Sequence, residues 1–273
     1  MKKGDVKVGK KLPYKYNLKK SIEKDTDLLF HELIDKTKIP VSADIRSGYS
    51  PIKNQGELGA CTSFSACSVM EYLLNKNIDL SELYFYFQER KSDGDISDDG
   101  GSTIARSAEV ATNIGSCVED LDPYDISKFA DTPSAESDAD AKNHKAVTKY
   151  KLQTIKDILY CVGVLNKPVL IGIEVYESFE EIGSDGYVPM PKQGERLLGG
   201  HALNICGYFR KSGNIFTEIE EEIELFLNKS QYNGLYFIVR NSWGETFGDK
   251  GYIYIPAEFL QRYSYDWWHI DIK

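Results

Sequence analysis

Apolar residues recur along the first half of the chain with a helical period and crowd into short runs in the second. In 61–75, Ala66, Val69, Met70, Leu73 and Leu74 follow the i, i+3, i+4, i+7 spacing of one buried helix face. The spacing predicts a second helix over 79–90, with Leu83, Tyr84 and Phe87 on an aromatic face, and a third over 102–114, closed by Gly115. Thr154 and Asp157 form a helix-start signature before Ile155, Ile158, Leu159 and Val162. A shorter amphipathic stretch, 27–33, predicts a helix in an otherwise lysine-rich start.

After Pro168 the pattern changes. Residues 169–173 are a continuous apolar run suited to a strand buried on both faces, and 202–208, 235–240 and 251–255 are further β-type runs. Segment 125–146 reads as irregular. Segment 214–229, with five glutamates, reads as an excursion from a hairpin. No repeat is visible. A helical front and a β-rich back predict an α+β fold.

The chain has 273 residues, 41% of them hydrophobic, enough for one large domain or two lobes. No apolar run approaches the roughly 18 residues of a membrane span, and the basic start is followed by no apolar stretch, so neither a membrane partner nor a secretory signal is expected. A net charge of −9 argues against a nucleic-acid partner. That charge is uneven. Residues 1–40 carry eleven lysines against six acids, leaving −14 on the remaining 233 residues, so this basic leader is expected to dock on the acidic body as readily as to stay solvated. The five cysteines, Cys61, Cys67, Cys117, Cys161 and Cys206, form no close pair. They fit neither a zinc knuckle nor a dense disulfide scaffold, and suggest a reducing, intracellular setting.

Gly56, Gly59 and Ala60 lead into a helix whose first turn starts with Cys61. The positive end of a helix favours a thiolate there, and glycines allow a substrate backbone to approach. Of four histidines, His201 follows Gly199-Gly200 at the start of a β-run. His31, His144 and His269 read as structural or surface residues. Downstream, Asn241 offers an amide to orient an imidazole, and Trp243 offers a shield. A cysteine, a histidine and an orienting amide form the generalised triad of acyl transfer.

These residues resemble the papain-like, cathepsin-type cysteine peptidases. The order Cys61, His201, Asn241 is the family's. Gln55 stands six residues before the cysteine, and Asp44-Ile45-Arg46, Asp99-Gly100-Gly101, Asp122-Pro123-Tyr124 and Asn241-Ser242-Trp243-Gly244 complete the set. The resemblance implies a two-lobe fold, with a helical N-terminal lobe, a β-barrel-like C-terminal lobe and the cleft between them. It assigns catalysis to Cys61, His201 and Asn241, with Gln55 in the oxyanion hole. Gly59, Gly100, Gly101, Gly200 and Trp243 would face a peptide or protein substrate, with no metal and no cofactor. The implied division is a leader at 1–40, a candidate pro-segment, and a peptidase domain at 41–273. Leu58 stands at a common disulfide cysteine position, Thr62 replaces the usual aromatic, and Phe247 replaces a common tryptophan. These departures suggest the shorter bacterial or viral branch. The alternatives are a catalytically silent peptide-binding homologue, another Cys–His acyl-transfer enzyme of the transglutaminase kind, and a nucleophile at Cys117.

Overall fold

The computed structural model describes residues 12–24, 27–30, 39–74, 77–211 and 232–272. The acidic segment 214–229 and His31 lie outside them. The predicted helices form as α1 (Cys61–Leu74), α2 (Glu82–Asp93), α3 (Ile104–Asn113) and α5 (Ile155–Gly163). Each of the last three begins at a side-chain cap: Ser81, Thr103 and Thr154 accept from amides in the first turn, and Thr154 with Asp157 completes a reciprocal capping box. The second helix starts later than its periodicity suggests because Leu80 pairs as a β-bridge with Val118, leaving Ser81 as the cap. It ends at Gly94, whose φ of 80° is the left-handed conformation of a helix stop.

Helix α1 differs from its predicted single face. Every residue from Cys61 to Glu71 is buried. Its small polar residues, Ser63, Ser65 and Ser68, let neighbouring elements close around it while each hydroxyl donates to a carbonyl. The segment 125–146 is also more ordered than its composition suggests, because Ser134 caps a short helix, α4 (Ala135–Ala141). In the predicted helix 27–33, Leu29 instead forms a β-bridge with Lys151, and the residues after Phe30 lie outside the description.

The strands are β1 (Ala43–Asp44), β2 (Thr148–Lys151), β3 (Val169–Tyr176), β4 (Leu197–Arg210), β5 (Leu235–Arg240), β6 (Tyr252–Pro256) and β7 (Ser264–Asp271). They form an antiparallel sheet in the order β2-β7-β3-β4-β5-β6, with β1 paired to β4. A last helix, α6 (Ala257–Tyr263), connects β6 to β7. Strands β2 and β7 are additions to the predicted set. Their lysines and aromatics alternate too weakly to mark a strand.

Two apolar clusters define the lobes. One lies among α5, α6 and the sheet and contains Ile171, Ile173, Ile205, Phe237, Ile253 and Trp243. The other lies among α1, α2 and α3, contains Cys61, and takes Leu170, Ala202 and Trp268 from the sheet. The catalytic candidates lie on the seam between them. Replacing Thr154 with alanine removes the capping box and is expected to cost about 1 kcal/mol, read as a lowered denaturation midpoint with an unchanged slope.

Candidate active site

The segment before α1 is held by the opposite lobe. The Gln55 amide donates to Ser242 O at 2.9 Å, Gly244 N donates to Lys53 O at 3.1 Å, and Asn54 pairs with Trp243 as an antiparallel bridge. The Ser242 hydroxyl donates to Gln55 Oε1 at 2.7 Å, and Gln55 Nε2 donates to Leu58 O at 3.0 Å. The Gln55 amide group is thereby fixed with one of its two N–H donors still uncommitted.

A second brace comes from Asp99, which received no role from the sequence. Its carboxylate accepts from Gly59 N at 3.0 and 3.1 Å and from the Tyr86 hydroxyl at 2.6 Å, tying the loop before Cys61 to the Gly100-Gly101 loop. Leu58, at the common disulfide position, is buried with Phe64, Leu83 and Tyr86. Packing and a carboxylate therefore hold this wall. Asp99 and Ser242 both stand inside quoted motifs, but their roles depend on contacts 40 and 187 residues away in sequence.

His201 is not at a strand end as its flanking glycines suggested. Strand β4 begins at Leu197 and places His201 opposite Ile173, because Gly199 and Gly200 pair with β3. Its Nε2 lies 2.8 Å from Asn241 Oδ1, which also accepts from Ser242 N at 2.8 Å. Asn241 follows the end of β5, with its own amide donating to Gly251 O. Trp243 stacks on the imidazole at 4.6 Å, and Phe247 and Phe179 pack edge-on against that indole. Phe247 thus fills the position of the missing second tryptophan. Cys61, His201 and Asn241 are all buried.

Burial governs their charge. It raises the Cys61 thiol to about 12, against the pull of backbone contacts from Ala202, Thr62 and Cys61 itself. It lowers His201 to about 4, opposed by the bond to Asn241. His201 Nδ1 has no hydrogen-bond partner, so the thiol and imidazole are not bonded to each other. This form of the site holds a neutral thiol and a neutral imidazole. Cys117, the alternative nucleophile, is buried beside Tyr84 and Ala141, with no histidine in its apolar cluster among the described residues. His269 is buried against Phe30 and Tyr150, and His144 is half-buried beside Asp140.

What covers the pair is the chain's own start. Tyr14 stacks on Trp243 with ring centroids 4.4 Å apart and donates its hydroxyl to Trp243 O. Tyr16 meets the same indole edge-on, and its hydroxyl donates to Glu180 at 2.6 Å. Gly200 N donates to Tyr16 O, Leu18 N donates to Gly200 O, and Lys19 N donates to Ser102 O. Asn17 Nδ2 donates to Asp99 O, while Lys15 pairs with the Asp99 carboxylate and Lys20 with Glu174. Leu18 is buried in the helical cluster, against Gly172, Ile104 and the region of Tyr265.

The predicted substrate-facing glycines line this strand. A Cβ on Gly101 would stand 2.1 Å from Asn17 O, and one on Gly200 would stand 2.7 Å from Leu18 O. Gly59 meets the Asn17 side chain, and Gly100 faces Lys19 more loosely. A glycine-walled cleft that admits backbone so closely suits an extended peptide. Among the described residues no cluster of acids, histidines and cysteines is arranged to hold a metal ion, and no helix is long and apolar enough to cross a membrane.

A two-lobe α+β fold with cysteine, histidine and asparagine on the seam defines a thiol peptidase class. The model of the papain family of cysteine proteases matches residues 39–262, and the chain belongs to that family. It is 29% identical over 236 residues to a peptidase C1-like protein of Acanthamoeba polyphaga mimivirus, covering 80% of this chain and 68% of that one. It is 27% identical over 224 residues to cysteine proteinase 3 of Entamoeba histolytica, covering 80% of this chain and 63% of that one. Xylellain, a cysteine protease from Xylella fastidiosa, has the same fold, with a TM-score of 0.77 at 22% identity over 98% of this chain and all of that chain. The viral and bacterial likenesses agree with the branch suggested by the sequence.

The depressed histidine gives a signed pH effect. Unfolded chains bind a proton at His201 near pH 6.5, whereas the folded site resists it until about 4. Stability from this group is therefore complete above pH 6.5 and is lost as pH falls through that window, by up to roughly 3 kcal/mol. Thermal melts of the wild type are expected to drop relative to His201→Ala between those limits. Parallel curves would contradict the assignment.

Proposed function

We propose that the chain hydrolyses peptide bonds through Cys61 and His201, with Asn241 orienting the imidazole and Gln55 completing an oxyanion hole. The observation that carries this reading is the shared seam: Gln55 and Asn241 are both held by Ser242, within reach of the first residue of α1. When a substrate opens the site, Cys61 passes its proton to His201 Nδ1, the ring nitrogen left without a partner. The helix start stabilises the resulting thiolate. The thiolate attacks the scissile carbonyl, and the oxyanion receives the uncommitted Gln55 N–H and the Cys61 amide. Donors of this kind are each worth about 10²–10³ in rate. His201 then protonates the departing amine, and water, deprotonated by the same imidazole, hydrolyses the thioester. Trp243 keeps bulk water from the Asn241–His201 bond.

We further propose that residues 1–40 form a leader that occludes this cleft until it is displaced. The stacking of Tyr14 on Trp243, the burial of Leu18 and the lysine pairs to Asp99 and Glu174 support that role. The five unpaired, buried cysteines support work in a reducing compartment.

The test is labelling by a peptidyl epoxide, located by mass spectrometry. In a Tyr14→Ala/Leu18→Asp double variant, modification is expected at Cys61, at least tenfold faster than in the wild type by the arithmetic of losing about 1.4 kcal/mol of docking. Adding His201→Ala should abolish that gain. A Cys61 that reacts no faster than Cys117 or Cys206 in the double variant would instead favour the silent peptide-binding homologue.

A further inference from the structure

The proposed chemistry leaves the buried acid Glu89 without a task. Glu89 on α2 is fully buried and lies between the other two helices of its lobe. Its Oε2 is 2.7 Å from the Thr62 hydroxyl on α1, and its Oε1 is 2.5 Å from the Ser107 hydroxyl on α3. Thr62 is the residue that follows the nucleophile.

Among the described residues no ion pair answers this carboxyl, and Arg90 acts on it only at a distance. The guanidinium of the adjacent Arg90 is directed elsewhere, donating to the carbonyls of Ile96 and Phe129 and lying over the rings of Tyr86 and Phe129. Asp93, one turn along α2, adds a like charge and is itself paired with Arg106 of α3. From α1 the titratable neighbours are Cys61 and Cys67, whose thiolates Glu89 disfavours when charged.

The hydrogen bonds fit a neutral acid. Ser107 Oγ also lies 3.1 Å from Thr103 O. It can accept the acid's proton while donating its own to that carbonyl, and Thr62 donates to the remaining oxygen. Every polar atom is then satisfied, whereas a carboxylate would leave a buried, unpaired charge. Burial accordingly raises this carboxyl to about 8, with the two hydroxyls pulling it down.

We propose that Glu89 is a positioning residue for the nucleophile: as a neutral acid it ties the first turn of α1 to α3, and as it ionises it opposes thiolate formation at Cys61. The inference needs only a titrating thiol at Cys61 and does not depend on peptide turnover. It also follows from the departure at Thr62. A tryptophan or phenylalanine there would offer no hydroxyl to the acid.

The test is alkylation by iodoacetamide across about pH 6 to 9 in the Tyr14→Ala/Leu18→Asp background, with wild type meaning that background with Glu89 and Thr62 retained and modification of Cys61 followed by mass spectrometry. Glu89→Gln keeps the shape and removes the ionisation. It is expected to match the wild type at the acid end and to alkylate Cys61 about threefold faster above pH 8, the effect of a half-unit change in thiol pKa. Thr62→Val withdraws one donor from the carboxylate, delays its ionisation and should shift the profile in the same direction. It decides the matter if Glu89→Gln does not fold. Thermal midpoints add a second readout, since the wild type should lose stability relative to Glu89→Gln as pH rises from about 4.5 to about 8 and level off above that. Superimposed alkylation profiles for the folded variants and wild type would overturn the proposal. Loss of labelling on His201→Ala bears on catalysis alone and leaves this comparison intact.

Discussion

Everything at the site depends on how the strand-like segment 50–56 is gripped from both sides. Arg240 at the end of β5 donates to Ser50 O and Pro51 O, and Lys53 reaches back into the helical lobe to Glu71 and Glu82 at 2.9 and 2.7 Å. Those two carboxylates are buried, and Lys53 is their principal compensation. Its removal would leave like charges facing each other in the interior, a change that typically costs about 3–5 kcal/mol. The backbone bonds from Gln55 to Ser242 and from Gly244 to Lys53 then fix the entry to α1 against the loop carrying Asn241 and Trp243. A nucleophile on one lobe and its base on the other need such a rigid seam, because small misplacements of reacting groups cost large factors in rate.

In the proposed account, the leader changes the chemistry by excluding water. Its aromatic side chains complete a stack with Trp243, and its backbone satisfies Gly200 on both its amide and its carbonyl. With the cleft covered, desolvation outweighs the helix end and the asparagine, and both reacting groups stay neutral. On the proposed reading, latency and reactivity are two dielectric environments of one fixed constellation, with no rearrangement of the proposed catalytic side chains required.

Much of this was legible from residue order. The helix start at Thr154 is written in local capping chemistry, and Cys61, His201 and Asn241 stand in short, distinctive surroundings. What was not legible depends on distance. Helix α1 reads as amphipathic but is wrapped on all sides, because Ser65 donates to Leu203 O of β4 while Ser63 and Ser68 satisfy their hydroxyls locally. His201 reads as a strand start but sits inside β4, since paired glycines extend the strand without adding apolar signal. Asp99 and Glu89 carry no local signal of the contacts they make. Each becomes a brace only when the fold brings hydroxyls or amides to it. Tyr14, Tyr16 and Leu18 sit in a lysine-rich stretch whose charge masks its apolar face.

The most direct measurement is the ionisation of the Cys61–His201 pair itself, followed by ultraviolet thiolate absorbance with Cys61→Ala as the blank. In the intact chain the account predicts no thiolate at Cys61 near neutral pH. In the Tyr14→Ala/Leu18→Asp variant it predicts a thiolate signal at that pH, lost on adding His201→Ala. An identical titration in both forms would mean that the leader does not set the charge state of the site, and would contradict the account at its centre.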